Sequence, residues 1–369
     1  MQQGVSLAPQ VEERRGALKG IADFAAVFLA GFKSHLLPHL LGLAILVSGY
    51  AVVELGGGTN ISPSFQVFVV RYVIAAASYV LVVLLLVKFL RMVIVDRPEK
   101  PLMHLWRWAH GNLTDGRRIA NGIHGLLFTF MVMGGFTMWK NQVAVLGHFA
   151  WDPELVSLER FLHGGVLPQD ILASVLGFPQ AAKIFDLAYY LWFPVLFGST
   201  FIMSFQPRQT ILRFRFMMAF AMTWILGGII TANIFSSAGP VYYGRLNPAP
   251  DIYAGHMELI RNLSASAHLE ALALQDSLWV AYAATPSFSS ISAFPSMHVA
   301  IAMLVFLACR HLGWLPRTVS AAYLILIFLG SIFLGWHYAI DGYAGAGFAL
   351  ASWWIAGFME RYRAGYPKS

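Results

Sequence analysis

Eight long apolar runs alternate with polar and charged segments along the chain. A helix needs about 20 residues to cross the hydrocarbon core of a bilayer, and each run approaches that length. The pattern predicts an all-α, polytopic integral membrane helical bundle with about eight transmembrane helices. The predicted spans are 36–55, 67–88, 119–138, 185–204, 216–236, 295–312, 318–336 and 340–359.

The apolar piece 21–32 precedes the first span and follows basic residues, so we expect it to lie along the membrane surface. Residues 1–118 then form an N-terminal part, with this interfacial segment and two spans. Residues 119–369 form a six-span core, which carries the candidate chemistry described below. Two long segments of the core, 139–183 and 237–293, lie outside the predicted spans.

Composition supports a membrane protein. Of 369 residues, 58% are hydrophobic and 12% are charged, about half the charged fraction of a soluble domain. The single cysteine, Cys309, excludes an internal disulfide and any cysteine-based metal cluster. No metal and no cofactor is predicted. The net charge of +7 is typical of basic cytoplasmic loops, so no nucleic-acid partner is expected.

The basic residues are distributed unevenly between alternate loops. Nineteen of the 25 lie in the loops that share a side with the N-terminus. The positive-inside rule therefore places both termini in the cytoplasm, and we expect the bacterial inner membrane. Segments 139–183 and 237–293 then lie on the extracytoplasmic face, where we interpret them as cap loops over a site. The alternative is that they are solvent-exposed loops with no role at a site.

Two histidines stand out, 39 residues apart. The spans 295–312 and 318–336 form a hairpin that returns His337 to the membrane face on which His298 began. Asp341 follows His337 by four residues, so on a helix the two share one face. A hydrogen bond to the carboxylate leaves the other ring nitrogen of His337 as a nucleophile.

His298 is then free to donate a proton to a leaving oxygen. A nucleophile with a separate acid suits displacement at phosphorus. Pro295 is expected in the first helical turn, with Ser296 and nearby amides holding phosphate oxygens. The alternative is structural: an interfacial histidine and an ordinary His–Asp hydrogen bond.

Two motifs carry a family resemblance. Residues 294–298 (Phe-Pro-Ser-Met-His) and 337–341 (His-Tyr-Ala-Ile-Asp) resemble the second and third signatures of the type 2 phosphatidic acid phosphatase superfamily. The resemblance covers roughly residues 216–358. More loosely, residues 151–163 and the layout of the C-terminal spans resemble the branch of the superfamily that contains inositol phosphorylceramide synthases.

The resemblance implies a metal-independent reaction. His337 would be the nucleophile that forms a phosphohistidine, and Asp341 would orient it. His298 would protonate the leaving group, and Ser296 would contact phosphate.

The signatures also depart from the superfamily pattern. Met297 replaces the usual glycine, and Gly330 and Ser331 replace a Ser-Arg pair, so the usual phosphate-binding arginine is missing. The first signature, a lysine with an Arg-Pro pair, is not found at its standard spacing. By position its equivalent is 236–245, in which we predict Arg245 as the cation near phosphate. Its predicted hydrogen-bond donors are Tyr242 or Tyr243, whose alternative role is that of interface-belt aromatics.

We therefore predict a membrane lipid phosphotransferase or phosphatase that acts on a lipid phosphoester. The acceptor is an alcohol on a polyol or lipid, or water in a plain lipid phosphate or pyrophosphate phosphatase. A non-enzymatic lipid or ion transporter with a histidine proton relay is the hypothesis from a different class. A transporter is expected to hold ionisable groups near mid-bilayer and to show inverted repeats, and neither feature is visible here.

Overall fold

The computed structural model describes residues 8–56, 74, 78, 81–86, 88–205, 211–247, 250–286, 290–310 and 312–363, with the backbone alone for 8–19. Throughout these residues the regular structure is helical, which confirms the predicted all-α bundle. The α-helices are α1 (Ala8–Leu55), α2 (Pro101–Leu113), α3 (Gly116–Lys140), α4 (Val143–Gly147), α5 (Asp152–Leu162), α6 (Pro168–Leu176), α7 (Pro179–Tyr190), α8 (Trp192–Ser204), α9 (Ile211–Thr223), α10 (Ala232–Ile234), α11 (Tyr243–Leu246), α12 (Ala254–Ala267), α13 (Glu270–Ala284), α14 (Met297–Cys309), α15 (Trp314–Phe333) and α16 (Ala339–Arg363). The described residues also include two π-helical segments, Met92–Asp96 and Trp224–Thr231, a 3-10 turn, Pro240–Tyr242, and further helical residues at 74, 78, 81–86 and 88–91.

Several of these helices are long and apolar enough to cross a membrane. By length and composition, five such stretches occur in the described residues: Gly20–Leu55, Gly116–Gly147, Pro179–Ser204, Ile211–Ile234 and Trp314–Phe333. The chain is therefore an integral membrane protein. Helix α14 is a shorter apolar helix, and the predicted span 340–359 lies within α16. The predicted span 67–88 falls mostly outside the described residues, so the total of eight stays a prediction.

The N-terminal part begins with one long helix, and the surface position expected for 21–32 stays a prediction. The expected surface segment, 21–32, is continuous with the first span in the 48-residue helix α1, which runs through Pro38 without ending. The reason lies in its packing along α3. Gly49 meets the backbone of Gly135 so closely that an added Cβ would lie 2.8 Å from the carbonyl oxygen. Small residues allow such an approach between membrane helices.

Helices α9, α14, α15 and α16 form the buried core of the bundle. Residues such as Phe220, Ala300, Leu304 and Ala349 are fully buried there. Helices α14 and α16 approach each other at Gly345, where a Cβ would overlap the carbonyl oxygen of Ser296. This contact brings the N-termini of α14 and α16 together.

The two predicted cap loops are folded into short helices. Segment 139–183 contains α4, α5, α6 and the start of α7, and segment 237–293 contains α11, α12 and α13. Asp152 is the first residue of α5, and Trp151 is the N-cap of that helix. The Asp152 side chain turns inward and is fully buried.

Candidate active site

His337 lies in the turn that joins α15 to α16, and Asp341 lies just beyond that turn. Helix α15 ends at Phe333, and Gly335 follows it with a φ of +76°, a left-handed conformation that glycine adopts freely. The backbone amide of His337 donates to the carbonyl of Ser331 at 3.1 Å. His337 therefore precedes α16, and Asp341 lies in the first turn of that helix. His337 and Asp341 therefore do not share a face of one helix, although the sequence predicted that they would.

A hydrogen bond through this turn joins the pair instead. Nδ1 of His337 lies 3.1 Å from Oδ2 of Asp341. The same oxygen accepts the backbone N–H of Tyr338 at 3.1 Å, so the carboxylate also caps α16. The bond assigns the proton to Nδ1 and leaves Nε2 with the lone pair.

The protonation state of His337 suits a nucleophile. The side chain is 5% exposed, and this burial lowers the pKa of His337 below its usual value. The positive charge of Lys140 acts in the same direction. The imidazole is therefore neutral near pH 7, and its lone pair is available to attack an electrophile.

His298 faces His337 from the second residue of α14. The two ring centroids are 5.9 Å apart. Tyr189 stacks on His298 with centroids 4.2 Å apart, and its hydroxyl lies 3.2 Å from Nδ1. Trp192 packs beside the ring and donates from Nε1 to the carbonyl of His298 at 3.1 Å. These contacts hold the ring in place and keep its Nε2 free for substrate.

Tyr189 and Trp192 were missed in the sequence. They precede His298 by 109 and 106 residues, at the junction of α7 and α8. An aromatic pair in an apolar run is an ordinary feature of a membrane helix, so no local signal marked it.

Ser296 is the N-cap of α14. Its hydroxyl oxygen accepts the N–H of Val299 at 3.4 Å, and its own amide donates to the carbonyl of Asp341 at 2.9 Å. Pro295, predicted in the first helical turn, lies just before the helix. The contact between Ser296 and phosphate stays a prediction, and the hydroxyl proton remains available for it.

The other predicted site residues have structural partners. Arg245 pairs with Asp276 at 3.3 Å, and its guanidinium lies 5.0 Å from the centroid of the Trp279 ring. The Tyr242 hydroxyl donates to the carbonyl of Gln275 at 2.9 Å. Tyr243 is buried and packs edge-on against Tyr253. Among the described residues, none of these contacts reaches His298 or His337, and the predicted phosphate roles stay predictions.

Lys140 is a cation whose positive charge helps to lower the pKa of His337. It ends α3, and the next residue, Asn141, accepts a hydrogen bond from Ser290 at 2.8 Å. The end of α3 therefore lies beside the non-helical segment 290–296 that leads into α14. In the described part of the chain Lys140 has no carboxylate partner, and its Nζ lies 6.0 Å from the centroid of the Phe136 ring. Its charge is thus available to an anion.

The cap segments contact the site through buried polar side chains. Asp152 accepts from the Ser237 hydroxyl at 2.7 Å, the Tyr338 hydroxyl at 2.9 Å and the amide of Ala238 at 2.9 Å. Burial raises the pKa of Asp152, and these donors oppose the rise. Glu159 accepts from two amides at the start of α16.

Three further cap side chains bind carbonyl groups at the end of α15. His256 Nε2 is 2.7 Å from the carbonyl of Phe333, Gln275 donates to Leu334 at 2.9 Å, and Gln169 donates to His337 at 3.4 Å. These groups would otherwise be unpaired at a helix end. The cap segments therefore brace the turn that carries the nucleophile.

One of three comparisons with known proteins found a match. The family model for the PAP2 superfamily matches residues 153–355, more than half of the chain. The chain belongs to the PAP2 superfamily. The match extends from α5 to α16 and includes both histidines and Asp341. Searches among curated proteins and among solved structures found no match.

Membership in the PAP2 superfamily confirms the superfamily resemblance seen in the motifs. It supports a phosphatase-type enzyme that acts on a lipid phosphoester in the membrane.

Proposed function

We propose that this PAP2 superfamily protein transfers a phosphoryl or phospho-head group from a lipid phosphoester through a covalent phosphohistidine. The single observation that carries the proposal is the pairing of His337 Nδ1 with Asp341 at 3.1 Å, with the ring centroids of His298 and His337 5.9 Å apart. A steered imidazole and a second, separately held imidazole supply the nucleophile and the acid that displacement at phosphorus needs.

The first half-reaction forms the covalent intermediate. Nε2 of His337 attacks phosphorus while the bond from phosphorus to the leaving oxygen breaks. His298 gives its proton to that oxygen, and Asp341 stabilises the charge that develops on the His337 ring. In the second half-reaction an acceptor hydroxyl loses its proton to His298 and attacks phosphorus. The bond between phosphorus and His337 then breaks, and both histidines return to their initial state.

The charge on the non-bridging oxygens needs donors. The N-terminus of α14 lies beside the histidines, and helix N-termini favour anions. Ser296 adds a hydroxyl there. Lys140 supplies a positive charge, and it therefore takes the role that sequence position suggested for Arg245, whose guanidinium is engaged by Asp276.

We propose an alcohol as the acceptor, on a polyol or on a second lipid. Support comes from the altered signatures at Met297, Gly330 and Ser331, together with the resemblance of 151–163 to the inositol phosphorylceramide synthase branch. Water would give a plain lipid phosphatase through the same intermediate. The basic loops favour a site on the extracytoplasmic face with both termini in the cytoplasm.

The test compares two histidine variants in detergent with an isotope-labelled lipid phosphoester, with and without polyol. His337→Asn removes the nucleophile. His268→Asn is the matched control, because His268 is exposed in a left-handed conformation that asparagine tolerates. We expect loss of turnover in His337→Asn alone. Equal turnover in both variants refutes the proposal, and labelled free phosphate in place of a new phospholipid identifies water as the acceptor.

A further inference from the structure

We propose that Glu159 is a positioning residue for the His337–Asp341 pair. Its carboxylate, carried by cap helix α5, fixes the first turn of α16 and so sets the geometry of the nucleophile. The catalytic consequence rests on the proposed function, whereas the structural consequence does not.

The contacts of Glu159 are complete and buried. Oε1 accepts the amide of Ala339 at 2.9 Å, and Oε2 accepts the amide of Ile340 at 3.1 Å. The side chain has no exposed surface. The first amides of a helix have no partner within the helix, and here a residue 180 positions earlier in the chain supplies it. Both amides lie between His337 and Asp341 in sequence.

Two carboxylates thus accept the backbone N–H groups at the start of α16. Glu159 takes the amides of Ala339 and Ile340, and Asp341 takes the amide of Tyr338. Without Glu159, the two freed amides would compete with His337 for the Asp341 carboxylate. Glu159 therefore leaves Asp341 available to the imidazole.

Glu159 fits this role best as an anion. Each of its oxygens acts only as an acceptor, as in an ionised carboxylate, and a helix N-terminus favours negative charge. Burial raises the pKa of Glu159, and the two amides oppose the rise. Asp341 also raises that pKa, whereas His163 lowers it. Asp152, Lys140 and His298 are further charged or titratable groups that act on the pair.

Asp186 provides a matched control. It is also buried, and it also accepts two first-turn amides, from Glu270 at 3.2 Å and Ala271 at 2.9 Å. Those amides begin α13, which carries none of the histidines. Asp186→Asn therefore reports the cost of losing a buried helix cap, and its ion pair with Lys183 at 3.3 Å, at a carboxylate that has no hydrogen bond to His337 or Asp341 in the described residues.

The experiment compares Glu159→Gln, Glu159→Asp and Asp186→Asn in detergent micelles. Each variant is measured for kcat, KM, unfolding temperature and the downfield NMR signal of the His337 Nδ1 proton, which is assigned by its loss in His337→Asn. Glu159→Gln keeps the shape of the side chain and removes its charge. The NH2 group of glutamine, which cannot accept a hydrogen bond, then faces one of the two backbone N–H donors. Glu159→Asp keeps the charge with a shorter reach.

For Glu159→Gln we expect kcat to fall about 10- to 100-fold, as for the loss of a hydrogen bond to a charged group, with KM within about threefold. The proton signal should shift or broaden. Glu159→Asp should recover part of kcat. Asp186→Asn should lower the unfolding temperature, with kcat and the proton signal unchanged.

A parent-like kcat and proton signal in Glu159→Gln, with only a lower unfolding temperature, overturns the positioning role. Should that variant not fold, the same result in Glu159→Asp overturns it. A parent protein inactive on every lipid phosphoester would count against the proposed function alone, because the proton signal reports on Glu159 without substrate.

Discussion

Asp341→Asn isolates the charge of the carboxylate with little change of shape. The amide oxygen can occupy the position of Oδ2, where it still accepts from Tyr338 and His337. The amide nitrogen then takes the position of Oδ1, which has no hydrogen-bond partner in the described residues. An unpaired buried donor there costs about 1–3 kcal/mol of stability.

The rate effect follows from the 3.1 Å distance between Nδ1 and Oδ2. At an effective dielectric constant of about 20, a full positive charge on the ring would gain about 5 kcal/mol from the carboxylate at that distance. A neutral hydrogen bond to asparagine retains about 1 kcal/mol. The difference of about 4 kcal/mol corresponds to a fall in kcat of about 10³-fold.

The assay is steady-state turnover of a labelled lipid phosphoester in detergent, with Asp186→Asn as the buried-carboxylate control. Thermal unfolding of each variant shows that the fold is retained. A fall in kcat of less than tenfold in folded Asp341→Asn would refute the role of this charge in stabilising the imidazole.

The remaining predictions concern the surroundings of the histidines. Lys140→Met should lower kcat/KM about 10- to 100-fold, because the cation binds a phosphate oxygen, and Lys140→Arg should recover part of the loss. In the same assay, equal kcat/KM for Lys140→Met and the parent protein would contradict this. Tyr189→Phe should lower kcat about fivefold through the lost hydrogen bond to His298, and an unchanged kcat would remove Tyr189 from the mechanism. Arg245→Ala should change kcat/KM by less than tenfold, since Asp276 and Trp279 already engage the guanidinium; a larger loss in turnover assays would restore the sequence prediction. Excess chelator should leave turnover intact, because side chains supply the nucleophile, the acid and the charge, and inhibition reversed by a metal ion would contradict this.

Most of the correct predictions came from patterns of residues that are close together in the sequence. Apolar runs predicted the helical membrane bundle, because burial in lipid requires long apolar stretches. The spacing of His337 and Asp341 predicted their pairing, although the hydrogen bond forms in a turn ahead of the helix. The continuity of α1 was missed, since nothing local records its packing along α3.

Long-range contacts account for the site residues that were missed. Glu159 meets the start of α16 across 180 residues, and Tyr189 meets His298 across 109. In the sequence, Glu159 is one charge in an amphipathic helix, and Lys140 is one basic residue at the end of a span. Only the fold shows that Glu159 is buried at helix amides and that the end of α3, where Lys140 lies, is near the segment that leads into α14.

The most direct test of the account is to locate the covalent phosphoryl group. The enzyme is mixed with a labelled lipid phosphoester, quenched within milliseconds in alkali, which preserves phosphohistidine, and digested for mass spectrometry. The account predicts a phosphoryl group on the peptide that contains His337, absent in His337→Asn and lost on brief acid treatment. Rapid turnover with no modified His337, or with the group on another residue, would contradict it.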